Sequence, residues 1–235
     1  MARILMFSGG LDSFIVKRLY HFANEECLFI RMNTRENQIE EAYLDARFPG
    51  VKKSDLFLNQ FELENKIIPF RNHFLTLVAA QFANEIWFGF TAGDTTKDKD
   101  YIFKAQMEGL LNYFSLSTDK VLIQGPFTVA LPIKNKTKTQ VVKDFLYSPE
   151  TTAQELIDTT SCYAGLEKPC GQCRSCLRKF VSLTLNDIEC CDSFLHNPVD
   201  GNLVEFYEEC KRKNRHQEIE EVEECLKRFG VIISS

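Results

Sequence analysis

Two groups of residues have the types and spacing to do chemistry. The first is Ser8-Gly9-Gly10-Leu11-Asp12-Ser13, which follows the apolar run 3–7 and precedes apolar residues at helical spacing over 11–23. Strand, glycine turn and helix outline an anion site. Glycine lets the backbone approach an anion without a Cβ in the way. The free N–H groups of the helix's first turn gather at the positive end of its dipole. Ser8 and Ser13 add hydroxyl donors, and a carboxylate at Asp12 suits a Mg²⁺ ion held beside phosphate, or an anchor for the loop. A plain strand-to-helix turn with Asp12 or Ser13 near its N-cap would need nothing more than the glycines. The flanking serines and the aspartate favour the phosphate reading. The pattern is not Gly-x-x-x-x-Gly-Lys-Ser/Thr, so it is not a Walker loop.

The second group is Cys162, Cys170, Cys173 and Cys176, four of the chain's nine cysteines. In a reducing compartment such crowding argues for metal rather than disulfides. Four thiolates are the number a closed tetrahedral zinc site needs, and no residue suggests an open fifth position, so a structural role is expected. Gly171 suits the tight turn between Cys170 and Cys173, and Arg174, Arg178 and Lys179 are placed to offset the site's negative charge. An iron–sulfur cluster shares this ligand set, whereas a redox Cys-x-x-Cys would open a helix in a thioredoxin-like unit. Cys27, Cys190, Cys191, Cys210 and Cys225 are expected to pack as small apolar residues.

The elements that must hold these groups alternate. Strands are expected over 3–7, 27–32, 51–61 (strand and loop) and 86–90, with apolar pieces at 121–123 and 127–131. Helices are expected over 11–23, 35–47, 72–84, 103–114 and 137–147. That alternation predicts an α/β fold with a mainly parallel sheet and helices on both faces. The character changes near Thr151, which divides the chain into a 1–150 α/β domain and a 151–235 cysteine-bearing helical region. Within the latter, Leu203, Phe206, Tyr207 and Cys210, then Ile219, Val222, Leu226 and Phe229, predict a helical hairpin. Packing onto the body is its expected role; a homodimer or partner contact is the alternative. A net charge of −5 gives no general attraction for nucleic acid. The apolar stretch 74–90 is broken by Gln81, Asn84 and Glu85, and no signal peptide is legible, so a cytoplasmic protein without a membrane span is expected.

The glycine loop resembles the PP-loop of the N-type ATP pyrophosphatases. That resemblance implies a Rossmann-like, adenine nucleotide alpha hydrolase-like sheet and cleavage of ATP between its α and β phosphates. Adenine would lie against Phe7 and around Met32-Asn33, with pyrophosphate on residues 8–13. Further segments narrow it: Ile68-Pro69-Phe70-Arg71-Asn72, Leu131-Pro132 followed by Lys138, Thr160-Ser161-Cys162-Tyr163, and Pro169-Cys170-Gly171-Gln172-Cys173-Arg174-Ser175-Cys176-Leu177-Arg178. Together with the loop they resemble the 7-cyano-7-deazaguanine synthase (QueC) family over about residues 4–180.

The resemblance implies ATP, Mg²⁺ and Zn²⁺ as cofactors. It also implies adenylation of 7-carboxy-7-deazaguanine, attack by ammonia to give an amide, and a second activation that leaves a nitrile. Arg71 and Lys138 are candidate cations for charge on the phosphates, with Asn72 beside Arg71 in the nucleotide site. Two segments depart from the family. Met32-Asn33-Thr34-Arg35-Glu36 stands where it carries Tyr-Gly-Gln-Arg-His, and residues 93–101 keep only an aspartate of Gly-Tyr-Pro-Asp-Cys-Arg. An alternative outcome is therefore a ligase that stops at the amide, with an amine such as a protein N-terminus as acceptor, as in QueC-like proteins of antiviral operons. A nucleotide-binding module without catalysis and a tRNA sulfur transferase are further readings. The intact Asp12 argues against the first, and the acidic net charge against the second.

Overall fold

The computed structural model describes residues 2–64, 67–117, 126–160, 162–164, 166 and 168–231. Its centre is a sheet of five parallel strands in the order β3-β2-β1-β4-β5: β1 Arg3–Met6, β2 Cys27–Arg31, β3 Lys52–Asp55, β4 Glu85–Trp87 and β5 Thr128–Ala130. Strands buried on both faces read as continuous apolar runs, and side chains alternate between the faces. In β1, Ile4 enters one core and Leu5 the other. In β2, Cys27 and Phe29 face one side while Leu28 and Ile30 face the opposite one.

The connections sort the helices by face. α1 (Leu11–Leu19) and α2 (Asn37–Arg47) lead outward from β1 to β3 and lie on the core of Leu5 and Phe29. The chain then returns past β1 to β4 and β5, so α3 (Arg71–Ala79) and α4 (Tyr101–Ser117) cover the opposite face with Ala79, Phe103 and Met107. Right-handed crossovers require this exchange of sides. The order reverses between β1 and β4, and a crevice opens beyond their carboxyl ends at that switch point.

Several elements are shorter than the periodicity predicts. The helix expected to reach residue 23 ends at Leu19; His21 has φ of 54°, and Lys17 Nζ donates to the Phe22 carbonyl at 2.7 Å, closing the turn. β4 stops at Trp87 instead of Phe90, because Gly89 lies against the start of α1: a Cβ there would be 3.0 Å from Ser13 N. The apolar piece at 121–123 falls outside the described residues. α5 (Lys138–Tyr147) begins at a capping box, with Gln140 N donating to Thr137 Oγ1 (3.2 Å) and Thr137 N to Gln140 Oε1 (2.9 Å).

Beyond residue 150 come α6 (Ala153–Ile157), α7 (Arg174–Thr184), α8 (Asn202–Arg212) and α9 (His216–Arg228). α7 packs on α5, and the α8–α9 hairpin packs on α7. One apolar cluster runs from Phe14 and Phe145 through Phe180 to Leu203 and Cys225, so the hairpin lies on the body as its spacing predicts. Cys27, Cys190, Cys210 and Cys225 are buried there, and Cys191 is half-buried. Among the described residues no helix is long and apolar enough to cross a membrane.

Candidate functional site

A cleft of about 250 Å³ occupies the switch point and reaches from the β1–α1 loop to α2, α3, α5 and α7. On its floor the loop turns at Gly9, where φ is +73° and a Cβ would stand 2.7 Å from Tyr43 Cδ1. Only glycine fits there. Gly10 has φ of −70° and serves as the N-cap of α1, so its demand is for space rather than for a left-handed backbone. Gly10 N and Ser13 Oγ are tied within the loop, to Ser8 Oγ at 3.3 Å and Gly10 O at 3.0 Å. Thr160 N donates to Gly9 O at 3.2 Å and fixes the loop from the other half of the chain. Phe7, Ser8, Gly10, Leu11, Asp12 and Ser13 all line the cleft; Gly9 shapes it from behind.

Lys138 is the first residue of α5, and its Nζ forms an ion pair with Asp12. The lysine side chain is 11% exposed, which separates it from a solvated surface charge. Arg71 and Asn72 reach the same cleft from the start of α3. Asn72 is buried and donates through Nδ2 to Asp98 Oδ2 at 2.8 Å, so part of its capacity is already engaged. Met32 lines the cleft beyond β2, whereas Asn33 is exposed in a left-handed turn (φ 59°) and does not line it.

Opposite the loop, Asp94 accepts from Thr91 N at 2.9 Å and pairs with Lys99 and Arg178, both at 3.3 Å. Burial would raise the Asp94 carboxyl, but Lys99, Arg178 and the Thr91 N–H together hold it well below the usual carboxylate range. Arg178 also meets Glu218 of α9, Nε to Oε1 at 2.5 Å, and Arg215 Nη1 donates to Glu218 Oε2 at 2.9 Å. The hairpin is thereby linked to the cleft wall through one buried carboxylate. Gly93 leaves room for this junction, since a Cβ there would lie 2.4 Å from Arg178 Nη2. On the α2 side, Glu36 and Glu40 face the cleft. Burial, reinforced by Glu36, pushes the Glu40 carboxyl up to about 8, against a hydrogen bond from Asn37 and the charge of Arg71.

The four cysteine sulfurs lie within 4.8 Å of one another, and Cys170 Sγ is 3.9 Å from Cys176 Sγ. A tetrahedron with arms of about 2.3 Å has edges of about 3.8 Å, so the spacing fits one bound ion and is far too long for a disulfide. Backbone N–H groups of Ala164 and Cys170 point at Cys162 Sγ, and those of Gln172 and Cys173 at Cys170 Sγ, at 3.2–3.4 Å. Such donors favour thiolates. The donor set therefore fits Zn²⁺. Gly171 has φ of +78°, and a Cβ there would strike the His196 carbonyl. The expected charge compensation is differently distributed. Arg174 and Arg178 answer Glu209, Glu218 and Asp94, while Lys179 is buried and donates to Ile157 O and Thr159 O at 2.8 and 2.6 Å. Cys162 alone of the four lines the cleft, so the cysteine knot forms part of its wall.

A profile of the family described as "Queuosine biosynthesis protein QueC" matches residues 37–185. The chain belongs to the QueC family. It is a divergent member: it is 23% identical over 218 residues to 7-cyano-7-deazaguanine synthase 2 of Colwellia psychrerythraea, covering 79% of this chain and 95% of the relative. It is 29% identical over 147 residues to the 7-cyano-7-deazaguanine synthase of Campylobacter hominis, covering 60% of this chain and 59% of that protein. The hairpin α8–α9 follows the matched segment.

Sequence reasoning did not single out Gly89, Glu40, Lys99 or Glu218 as part of the site. A glycine after a buried strand was a usable signal for Gly89. Glu218 sits in a charge-rich helix and carries no distinguishing mark.

Proposed function

We infer that this QueC-family chain is an ATP-dependent carbon–nitrogen ligase acting on 7-carboxy-7-deazaguanine. The observation that carries the reading is the convergence of the Ser8–Ser13 loop, Arg71 and the Asp12–Lys138 pair on one cleft at the sheet's switch point. In this reading residues 1–150 bind ATP, and residues 151–235 hold the metal and brace the cleft. Adenine rests against Phe7 and Met32 with Asn72 beside it, while Asn33, which faces solvent outside the cleft, has no part in this reading. The loop N–H groups and the α1 terminus receive the β and γ phosphates. Mg²⁺ would be held by Asp12 and would supply charge neutralisation on the phosphates. Zn²⁺ would be held by Cys162, Cys170, Cys173 and Cys176 in a structural role.

A carboxylate oxygen of the substrate attacks the α phosphorus, the α–β bridge breaks and pyrophosphate leaves. Arg71 and Lys138 stabilise charge gathering on the phosphate oxygens, and Ser13 orients them. Ammonia then adds to the acyl carbon, the acyl C–O bond breaks, and AMP leaves with a proton released from nitrogen. The amide oxygen repeats the attack on a second ATP. Loss of AMP and the two remaining N–H protons gives the nitrile, 7-cyano-7-deazaguanine.

A second reading stops at the amide and takes another amine, such as a protein N-terminus in an antiviral system. It is favoured by the replaced segments at 32–36 and 93–101, which flank the cleft. Mass spectrometry of products from ATP, the carboxylate and ammonia separates the two. Nitrile formation with two AMP per product supports the first, amide accumulation supports the second, and no ATP turnover refutes both. We propose a cytoplasmic location, in keeping with small-molecule substrates.

A further inference from the structure

With ATP in the cleft, adenine lies at the end of β2, where the backbone of Met32 is already engaged. Met32 N donates to Asn37 Oδ1 at 2.5 Å, and Met32 O accepts from Leu58 N at 3.0 Å and Asn59 N at 3.2 Å. A base set against Phe7 and Met32 finds no free backbone group at Met32, so its hydrogen-bonding edge falls to side chains. An edge left unpaired in a cleft costs affinity.

Glu40 is placed to meet that edge. It lines the cleft from the first turn of α2 and is tied to the end of β2 through the buried Asn37. The Asn37 amide takes the Met32 N–H on Oδ1, and its Nδ2 donates to Glu40 Oε2 at 3.2 Å. Among the described residues no hydrogen bond reaches Glu40 Oε1. The charges that face Glu40 are Glu36 at the N-cap of its own helix and Arg71 at the start of α3. The other charged groups of the cleft wall answer one another, Asp12 with Lys138, and Asp94 with Lys99 and Arg178. Burial and Glu36 outweigh Asn37 and Arg71 and push the Glu40 carboxyl up to about 8, so it keeps its proton at neutral pH. Donation from Asn37 makes Oε2 the acceptor and leaves the proton to Oε1.

We propose that Glu40 reads the base of ATP, donating from Oε1 to ring nitrogen N1 of adenine and accepting the neighbouring 6-amino group on Oε2. The proposal rests on the ATP reading and adds the residue that sets base specificity within it. An ionised carboxylate would set a second acceptor against the lone pair of N1. Hypoxanthine, with an oxygen at position 6 and a proton on N1, reverses both partners.

Calorimetric titration of the full chain with α,β-methylene-ATP and Mg²⁺ tests this, because the analogue keeps the base and cannot be cleaved at the α–β bridge. Between about pH 7 and about pH 9.5 the wild-type dissociation constant should rise by roughly 10- to 30-fold, as the protonated fraction of Glu40 falls. Glu40→Gln presents the same donor and acceptor to adenine without an ionisable proton, so it should bind within about threefold of wild type at about pH 7 and change little at the higher pH. Glu40→Leu should bind at least about 10-fold more weakly at about pH 7. The wild type should prefer the adenosine analogue to its inosine counterpart by about 10-fold, and Glu40→Leu should lose that preference, which a purely structural role would leave in place. Circular dichroism melts ensure that every titration is made below the melting range. Failure of the wild type to bind the analogue overturns the proposal together with the ATP reading. Binding that is equal at the two pH values, or a Glu40→Leu variant that keeps the adenosine preference, overturns the proposal alone and leaves the ATP site standing.

Discussion

Replacing Glu218 with glutamine keeps the shape of the side chain and removes its charge, at a position that joins the hairpin to the cleft. Glu218 is 9% exposed and meets Arg178 at 2.5 Å and Arg215 at 2.9 Å, with those guanidinium groups 15% and 10% exposed. Arg174, 3.8 Å away and 30% exposed, is screened by solvent and adds little. Charge-assisted contacts are each worth about 1.5–3 kcal/mol, and the amide oxygen can still accept from one arginine. The two cations left facing each other add to the cost, as breaking a buried pair usually does. The expected destabilisation is therefore about 2–4 kcal/mol. For a chain of this length that lowers the thermal midpoint by about 6–12 °C. Circular dichroism melts of wild type and Glu218→Gln read it directly, and Arg215→Met should produce a loss of the same sign. A melt within about 2 °C of the wild type would refute the account, because the junction would then carry no net coupling between α9 and α7. Pyrophosphate release measured on the same preparation, below the melting range, should fall as well, since Arg178 lines the cleft.

Asp12→Ala should reduce ATP-dependent pyrophosphate release by about 100-fold or more, and because it leaves the 11%-exposed Lys138 without its partner it should also lower the melt by a few degrees, so the activity is to be read well below the melting range. Gly93→Ala places a methyl 2.4 Å from Arg178 Nη2 and should cost about 1–3 kcal/mol in urea unfolding, together with activity; an unchanged unfolding midpoint would count against the packed junction. Glu40 titrates in the fold near 8 rather than near 4.5, so the folded state holds its proton longer than the unfolded chain does. Stability should then decline as pH rises from about 4.5 to about 8, and Glu40→Gln should flatten that slope in melts taken across the range. Prolonged chelation should lower the melting temperature in step with zinc lost, and Cys176→Ser should do the same, with metal content followed by elemental analysis.

The glycine turn between β1 and α1, the cysteine set and the parallel α/β layer were all legible in the sequence, because each depends on local rules. A buried strand reads as an apolar run, a turn of positive φ demands glycine at residue 9, and four thiols within fifteen residues, with a glycine in the Cys170–Cys173 turn, are close enough to converge. The same locality explains the misjudged ends. Periodicity carried α1 past Leu19 and β4 past Trp87, where a tertiary contact at Gly89 and a left-handed residue at His21 stop the pattern. The pairing of Lys138 with Asp12, 126 residues apart, and of Glu218 with Arg178 and Asp94 could not be read at all. Charges on amphipathic helices look alike until packing decides which are buried. The sequence alone thus determined that this chain carries a glycine turn between β1 and α1 and four cysteines with the spacing of a metal site. The tertiary structure decided that both border one cleft and that α9 supplies part of its bracing, because strand order and helix docking, not spacing along the chain, bring those residues together.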